Sequence, residues 1–260
     1  MSLLFLHNTA GSYATSYDLG SGTIASGYNL YNSISGTRGK TERTQKSSSE
    51  ILRQYHYAAN HSIDYVVIAR ADLMLTNNTT RVRLKQKSSG GSWSYISGID
   101  YNPITSANLI GARNQDLVIA CSPSDLRGIA LSTIPVTGSE ASEISKFYGC
   151  ASVSTFGVPN PEYSWQNTTP RTVAKTINSG LEYEIERTFT LQYSQLKQDD
   201  IDAFYNLDEV LNAPFFIYDP NSYLWSWKLE HVIITEVQEY FVDLNNYDLS
   251  LTFGRLKHYD

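Results

Sequence analysis

The sequence predicts a mainly β protein, with an N-terminal β-sandwich or jelly roll and a C-terminal β-domain that carries one packed α-helix. Short apolar or alternating segments recur between residues 50 and 150, with no convincing helical pattern between them. A long alternating strand then covers Leu181–Tyr193, and one acidic helical run follows at about 198–211. A chain of 260 residues is long enough for both domains.

The first 50 residues are mostly Ser, Thr, Gly, Asn and Tyr. This composition predicts short strands with long loops, or an arm that becomes ordered only against a neighbour. The most basic segment is Thr37–Lys46. We interpret it as a solvated loop in preference to an anion-binding patch.

Sequence patterns typical of β-strands become clearer after residue 50. Ile51–Tyr57 alternates in part, and Ile63–Ala69 is a continuous apolar run typical of a strand buried on both faces. Arg81–Lys87 alternates basic with apolar residues, which predicts a strand with a charged outer face, and Ser88–Gly91 predicts a turn. Further short strands are predicted near Ala120, at Gly128–Ile134 and at Ile144–Gly149. Strands at this spacing predict a sandwich or jelly roll over residues 1–155.

The Pro-rich segment Phe156–Trp165, with Pro170 soon after it, predicts a join between domains near residues 155–180, so that the second domain covers 156–260. Its first strand has two contrasting faces. The predicted buried face, interrupted by Arg187, contains Leu181, Tyr183, Ile185, Phe189, Leu191 and Tyr193. The predicted solvent face contains Glu182, Glu184, Glu186, Thr188, Thr190 and Gln192.

The helical run Gln198–Leu211 has acidic residues in its first turn, where they offset the helix dipole. Its predicted apolar stripe, which we expect to lie on the sheet, contains Ile201, Phe204, Tyr205, Leu207 and Leu211. Two more strands are predicted near Leu229–Phe241 and Tyr247–Phe253.

The net charge of −6 is unevenly divided. Residues 1–155 hold 13 Lys and Arg against 10 Asp and Glu, and residues 156–260 hold 7 against 16. The balances are therefore +3 and −9. Because phosphate binding requires positive charge, this division argues against a nucleic-acid surface in the C-terminal half.

The sequence contains no recognisable catalytic, cofactor-binding or metal-binding motif. We find no nucleophile elbow, phosphate-binding loop, dinucleotide fingerprint or zinc-type histidine pair, and we predict no enzyme activity, no cofactor and no metal. A cell-wall hydrolase therefore has no supporting constellation. Cys121 and Cys150 are predicted to be buried free thiols, and His231 an ordinary sheet residue. No apolar run is long enough to span a bilayer, and the N-terminus lacks the features of a signal peptide, which predicts folding in a cytoplasm.

A turn after Tyr218 is followed by a dense group of aromatic residues. Tyr218, Tyr223, Trp225 and Trp227 predict either a contact between subunits or a platform on which sugar rings stack, and we favour the subunit contact.

Two parts of the chain resemble a known family. The order of Ile63–Leu73, a basic strand, Arg127–Leu131 and Ile144–Cys150 resembles the galactose-binding-like jelly rolls of tailed-bacteriophage tail proteins. The alternating strand, the helix, the segment Pro214–Pro220 and the closing strand Leu249–Phe253 resemble the tail-tube-like domain of phage minor tail and baseplate proteins. The resemblance covers most of residues 50–260.

The resemblance implies a structural subunit of a phage tail tip or baseplate, assembled as a homo-oligomeric ring around or below the tail tube. Six-fold symmetry is preferred and three-fold is next. Partners would be other tail or baseplate proteins, DNA would pass without specific binding, and no membrane is involved. The protein would fold and assemble in the host cytoplasm and end in the virion tail.

Glu182, Glu184 and Glu186 would then line the lumen and repel DNA. The simpler interpretation is that these residues lie on the solvent-exposed face of an ordinary sheet. The alternative function is a carbohydrate-binding module that contacts a host-surface glycan.

Overall fold

A computed structural model describes residues 3–34, 42–69, 80–111, 115–121, 126–135, 141–151, 162–166, 173–175, 182–211, 213–222, 224–243 and 246–256. These residues form two compact units. The sandwich unit contains residues 8–34 and 42–151, and the carboxy-terminal unit contains residues 3–7 and 162–256. The described part of the chain is mainly β-strand, which confirms the predicted fold class.

The sandwich unit is built from two antiparallel sheets. Among the described residues, the larger sheet has five strands in the spatial order β2 (Ala14–Ser21), β4 (Ile51–His61), β9 (Leu126–Pro135), β6 (Thr80–Lys87) and β7 (Trp93–Tyr101). The smaller sheet has the order β11 (Lys146–Cys150), β5 (Tyr65–Ala69) and β8 (Leu117–Ala120). Shorter elements of this unit are α1 (Thr9–Tyr13), the pair β3 (Glu42–Arg43) and β10 (Glu143–Ile144), and 3₁₀ turns at Leu30–Ser33 and Ser106–Asn108.

The core of the sandwich unit lies between these two sheets. On β4, Tyr55 points inward and its ring lies 5.1 Å from that of Phe147 on β11. The Tyr55 hydroxyl donates to the Phe147 carbonyl at 2.5 Å. Because side chains alternate along a strand, Gln54 and His56 on either side of Tyr55 point to the opposite, outer face.

A buried ion pair corrects the interpretation of Thr37–Lys46 as a solvated loop. Residues 37–41 lie outside the described residues, but Glu42 is fully buried. The Arg53 guanidinium binds its carboxylate, with Nε–Oε1 at 2.7 Å and Nη2–Oε1 at 2.6 Å. Thr133 and Ser142 accept further hydrogen bonds from Arg53. Burial of this carboxylate is possible because the pair is fully hydrogen-bonded.

Both cysteines are buried and free, as predicted. Burial, with a smaller contribution from the charge of Asp64, raises the pKa of the Cys121 thiol to about 12. Burial also raises the pKa of Cys150. Both groups therefore remain neutral thiols at pH 7, and their role is in packing.

The described residues of the carboxy-terminal unit form one antiparallel sheet and one long helix. The sheet runs in the order β1 (Leu4–Leu6), β15 (Phe215–Tyr218), β16 (Leu229–Asp243), β17 (Asn246–Leu256) and β14 (Glu182–Leu196), and β14 also pairs with β12 (Glu162–Gln166) and β13 (Val173–Lys175). The helix is α2 (Gln198–Leu211), which confirms the predicted helix. The sequence did not predict β1, which joins this sheet by pairing with β15.

The predicted stripe on α2 is partly wrong. Ile201 and Phe204 are buried in the core, as expected. Tyr205 is 47% exposed, and its hydroxyl donates to Glu239 on β16 at 2.6 Å. Its position at the margin of the apolar stripe lets the ring leave the core and the hydroxyl meet a carboxylate. The side chains of Leu207 and Leu211 lie outside the described part of the structure.

Ile185, Phe189, Leu191 and Tyr193 of β14 are buried as predicted, but Ile185 does not share the cluster of the other three. The pairing of β14 with β17 shifts register between Ile185 and Arg187. Ile185 consequently packs with Ile233 and Leu256 in a cluster separate from the main core that contains Phe189. An extra residue in one strand reverses the alternation of side chains, which a strict two-residue period cannot anticipate.

Candidate functional site

The outer face of the five-stranded sheet has an unusual combination of aromatic and charged side chains. On β6, Val82 and Leu84 are buried, whereas Arg83, Lys85 and Lys87 are partly exposed. This confirms the predicted charged outer face of that strand. The paired strand β7 contributes aromatic residues in the matching positions, because Lys85 pairs with Tyr95 and Lys87 pairs with Trp93.

The middle strand of the sheet, β9, leaves room for these long side chains. Its outer-face residues are the small Gly128, Ala130 and Ser132, and all three are buried. A Cβ atom added at Gly128 would lie 2.5 Å from the Tyr55 carbonyl oxygen and 3.0 Å from Cη2 of Trp93. The close approach of the β4 backbone and the Trp93 ring therefore requires glycine at this position.

Trp93 lies over Gly128 and is held by the neighbouring strands. Its indole Nε1 donates to the Gln54 side-chain oxygen at 3.2 Å, and the Gln54 nitrogen donates to Asp18 Oδ1 at 3.2 Å. These two neighbours fix the orientation of the amide. Gln54 itself fits against Gly20, where a Cβ atom would come within 2.5 Å of its Cδ. The ring is thus half-buried and fixed in place.

His56 completes the surroundings of the indole. The two rings meet edge to face, with centroids 5.6 Å apart and an angle of 81°. His56 Nε2 lies 3.1 Å from Asp18 Oδ2, and its Nδ1 lies 3.4 Å from Lys87 Nζ. A proton on Nε2 satisfies both contacts, since Nε2 then donates to the carboxylate and Nδ1 accepts from the ammonium. We call Asp18, Gln54, His56, Lys87 and Trp93 the Trp93 platform.

A second polar cluster is centred on Glu50, just before β4. Its Oε1 accepts from Ser132 at 2.5 Å and from Tyr95 at 3.0 Å, and its Oε2 accepts from Lys85 at 2.9 Å. Burial would raise the pKa of Glu50, but these three hydrogen bonds and the charge of Lys85 together hold it below its usual value. Glu50 is therefore an ionised anchor for the side chains around it.

The Tyr95 ring carries cations on its face. The Arg83 guanidinium carbon lies 3.6 Å from the ring centroid, and the Lys85 ammonium lies 4.6 Å from it. Arg83 Nη2 also donates to the Tyr95 hydroxyl at 2.6 Å. Tyr95 remains 42% exposed, so part of the ring is accessible. We call Glu50, Arg83, Lys85, Tyr95 and Ser132 the Glu50 cluster.

The aromatic site expected in the carboxy-terminal unit has a different character. Trp225 is only 3% exposed and packs edge to face on Phe189 in the core. Trp227 is half-buried and stacks on Trp225, with its indole N–H donating to Glu230. Tyr218 is a half-buried residue of β15, and Tyr223 lies outside the described residues. Trp225 is therefore a core residue, and its ring has almost no exposed surface on which a ligand could stack.

The predicted lumen residues Glu182, Glu184 and Glu186 belong to β14, where Glu184 pairs with Val173 of β13. Their side chains lie outside the described part of the structure, so the lumen hypothesis stays a prediction. His231 lies buried in β16 and stacks on Phe216. No described group of three or more His, Cys, Asp or Glu residues is arranged to hold a metal ion. None of the helices in the described ranges is long and apolar enough to cross a membrane.

Sequence reasoning missed the Trp93 platform, although a signal was present. Ser92–Tyr95 follows the predicted turn Ser88–Gly91 and places Trp93 and Tyr95 two residues apart. A hairpin at that turn brings this pair opposite Lys87 and Lys85, which were already predicted to face outward. The contacts with β4 and β2 depend on the order of strands in the sheet, which has no local signature.

No family model and no curated protein matches the sequence. Solved structures with a similar fold include a Ruminococcus gnavus GH29 fucosidase in complex with fucose (12% identity, TM-score 0.42), where the match covers 56% of this chain and 27% of the fucosidase. They also include a chitosan-binding module of a Paenibacillus chitosanase/glucanase (7% identity, TM-score 0.41, covering 56% of this chain and 99% of the module).

A Clostridium perfringens CBM32 module in complex with GalNAc-β-1,3-galactose is similar at 11% identity and a TM-score of 0.39, covering 52% of this chain and 94% of the module. The chain spans about a quarter of the length of the fucosidase. Likenesses this distant assign no ligand, so the function must come from the side chains described above.

Proposed function

We propose that this protein binds carbohydrate through the outer face of the five-stranded sheet. One observation carries the proposal: a half-buried indole, Trp93, is held over Gly128 and surrounded by polar side chains. Sugar rings have apolar C–H faces and a rim of hydroxyl groups, so they combine with a fixed aromatic ring beside hydrogen-bonding groups.

The Trp93 platform supplies both kinds of contact. Its ring offers apolar area with little conformational entropy to lose, because the Gln54 contact already fixes the side chain. His56, Lys87 and Asp18 form a connected polar rim beside it. Tyr95, part of the Glu50 cluster, is a second aromatic residue on the same face and is 42% exposed, with the Arg83 guanidinium stacked on its ring. Two rings on one face suit a chain of sugars better than a single residue.

Affinity electrophoresis in gels that contain a soluble polysaccharide tests the proposal. With a panel of neutral and acidic polymers, we expect at least one to retard the protein. Trp93→Ala should weaken that interaction about tenfold, because the loss of one stacking contact corresponds to about 1.4 kcal/mol. Trp93→Phe should retain part of the binding, since it keeps a ring.

Tyr31→Ala is the matched control, because Tyr31 is an aromatic residue outside this face and 57% exposed. We expect its retardation to equal that of the wild type. Circular dichroism must show that the Trp93 variants are folded. Retardation of a folded Trp93→Ala variant equal to that of the wild type contradicts the proposal, as does a failure of every polymer to bind.

A second candidate function is the structural subunit of a phage tail tip or baseplate, favoured by the free edge of β16. Along this edge, the described pairing with β15 covers only Leu229–Val232, although β16 continues to Asp243. Near the end of the strand, Tyr240, Phe241 and Val242 are each more than half exposed. A long edge strand with an apolar end supports pairing with another chain, here a second copy in a ring.

In that role the chain would form a homo-oligomer, six-fold first and three-fold next, beside other tail proteins. Glu182, Glu184 and Glu186 would line its lumen, and the sandwich unit would contact a host glycan. The two candidates are thus compatible, and neither requires a catalytic reaction.

Mass measurement by light scattering tests assembly. We expect a discrete oligomer for the wild type and a smaller species for Phe241→Asp, because a charge placed in an apolar contact opposes association. Tyr31→Asp provides the control for a charge introduced at another exposed aromatic residue. A strictly monomeric wild type at high concentration, or an unchanged oligomer in Phe241→Asp, counts against this candidate.

A further inference from the structure

We infer that the ligand of the outer face is an acidic polysaccharide, and that Arg83 and Lys87 bind the carboxylates along it. This inference rests on the proposed function and specifies its ligand class. Some charged groups on this face already bind side chains of the protein, and others retain unused hydrogen-bond donors.

The carboxylates of this face that the structure describes are already bound to side chains of the protein. Asp18 uses one oxygen for Gln54 and the other for His56. Glu50 has both oxygens occupied within the Glu50 cluster. Asp100 accepts from Arg81 with both oxygens, with Nε–Oδ1 at 2.7 Å. These groups hold protein side chains in place and leave little acceptor capacity for a ligand.

Two cations on the same face have spare donors. No carboxylate of the described residues lies within ion-pair distance of Arg83 or Lys87. Lys87 Nζ contacts His56, and Arg83 Nη2 binds the Tyr95 hydroxyl. The Arg83 Nε is buried and therefore not available to a ligand, but the terminal nitrogens of the guanidinium have more N–H donors than the one bond to Tyr95 uses. An acceptor-rich, negatively charged ligand would satisfy the remaining donors.

The position of these cations relative to the rings favours a charged sugar over a bare anion. Lys87 Nζ lies 5.9 Å from the Trp93 ring centroid, and Arg83 lies against Tyr95. A sugar ring stacked on Trp93 therefore brings a carboxylate substituent close to Lys87, whereas the Arg83 guanidinium itself covers the Tyr95 ring and offers its donors there.

The test uses polygalacturonate, which has a carboxylate on each sugar, and the neutral polymer obtained from it by reducing those carboxylates to alcohols. Isothermal titration with the 260-residue protein should give at least about tenfold tighter binding to the acidic polymer, because charge-assisted hydrogen bonds are the stronger kind. The preference should shrink as salt rises. A DNA oligonucleotide serves as the anionic comparison and should bind more weakly than polygalacturonate.

Single variants locate the effect. Arg83→Gln and Lys87→Gln should each lower the affinity for polygalacturonate about tenfold and move the ratio between the two polymers towards one. Lys197→Gln in the carboxy-terminal unit removes the same charge elsewhere and should leave the ratio as in the wild type. Arg83→Lys should recover part of the preference.

The outcomes separate the inference from the proposed function. Equal binding of both polymers, abolished by Trp93→Ala, overturns the acidic ligand and leaves carbohydrate binding intact. Binding of neither polymer overturns the acidic ligand, while the proposed function falls only if the wider panel also fails. The inference is also contradicted if Arg83→Gln and Lys87→Gln both keep the preference for the acidic polymer. It is likewise contradicted if the protein binds DNA more tightly than polygalacturonate.

Discussion

Trp93 and Trp225 show how the surroundings of an indole decide its role. Trp225 is buried in the core of the carboxy-terminal unit, where it packs on Phe189 and on the half-buried Trp227. Trp93 lies on the outer face of the sandwich unit, over a glycine, with its N–H bound to Gln54. The first stabilises the fold with its whole surface, whereas the second leaves part of its ring accessible. A fixed but half-exposed ring is what a binding surface requires.

The comparison predicts its largest effect for truncation of the core indole. Trp225→Ala should lower the free energy of unfolding by about 3–5 kcal/mol, because it removes a buried aromatic side chain and leaves a cavity. Trp93→Ala should cost about 1 kcal/mol, since its ring is only half-buried. Urea denaturation followed by circular dichroism measures both. Equal losses of unfolding free energy in the two variants would contradict the assignment of Trp225 to the core and of Trp93 to the surface.

The next effect concerns the glycine beneath Trp93. Gly128→Ala places a Cβ atom 2.5 Å from the Tyr55 backbone oxygen, so the strands must shift, at an expected cost of about 1–3 kcal/mol. The displaced indole should also weaken polysaccharide retardation. Gly254→Ala is the matched control, because the three atoms nearest to its new Cβ would all belong to the Ile185 side chain, the nearest at 2.7 Å. A greater loss in Gly254→Ala than in Gly128→Ala would contradict the close approach at Gly128.

The smallest effect is a pH dependence that arises from Glu50 on the outer face. Because the folded-state pKa of Glu50 is lowered, its charged form contributes stability that is complete above the usual carboxyl value of 4.5. That contribution disappears as the pH falls through the lower folded-state pKa. Glu50→Gln should therefore be less stable than the wild type near neutral pH, and the difference should vanish in acid. Melting temperatures measured across this range check the sign, and a difference that grows in acid would refute it.

The fold was largely predictable because its signals are local. The alternation in Arg81–Lys87 and the helical period in Gln198–Leu211 correspond to elements in the structure. The errors arose where a period is interrupted or a partner is distant in sequence. The register shift after Ile185 moved one side chain to another cluster, and the pairing of Leu4–Leu6 with β15 joined two ends of the chain.

The candidate site was harder to predict than the fold. A dense run of aromatics directed attention to Trp225 and Trp227, but density along the sequence does not report exposure. Trp93 forms a binding platform only together with Gln54, Gly128 and His56, which lie on two other strands. Only the order of strands in the sheet brings these residues together, and that order has no signature in a single sequence.

The central claim, that Trp93 forms the carbohydrate-binding surface, is tested most directly by the indole N–H signals in a ¹H–¹⁵N NMR spectrum. The chain has four tryptophans, so single Trp→Phe variants can assign each signal. During titration with oligogalacturonate, we predict a saturable shift of the Trp93 signal while the Trp225 and Trp227 signals stay in place. A shift of the Trp227 signal with Trp93 unmoved would contradict the claim.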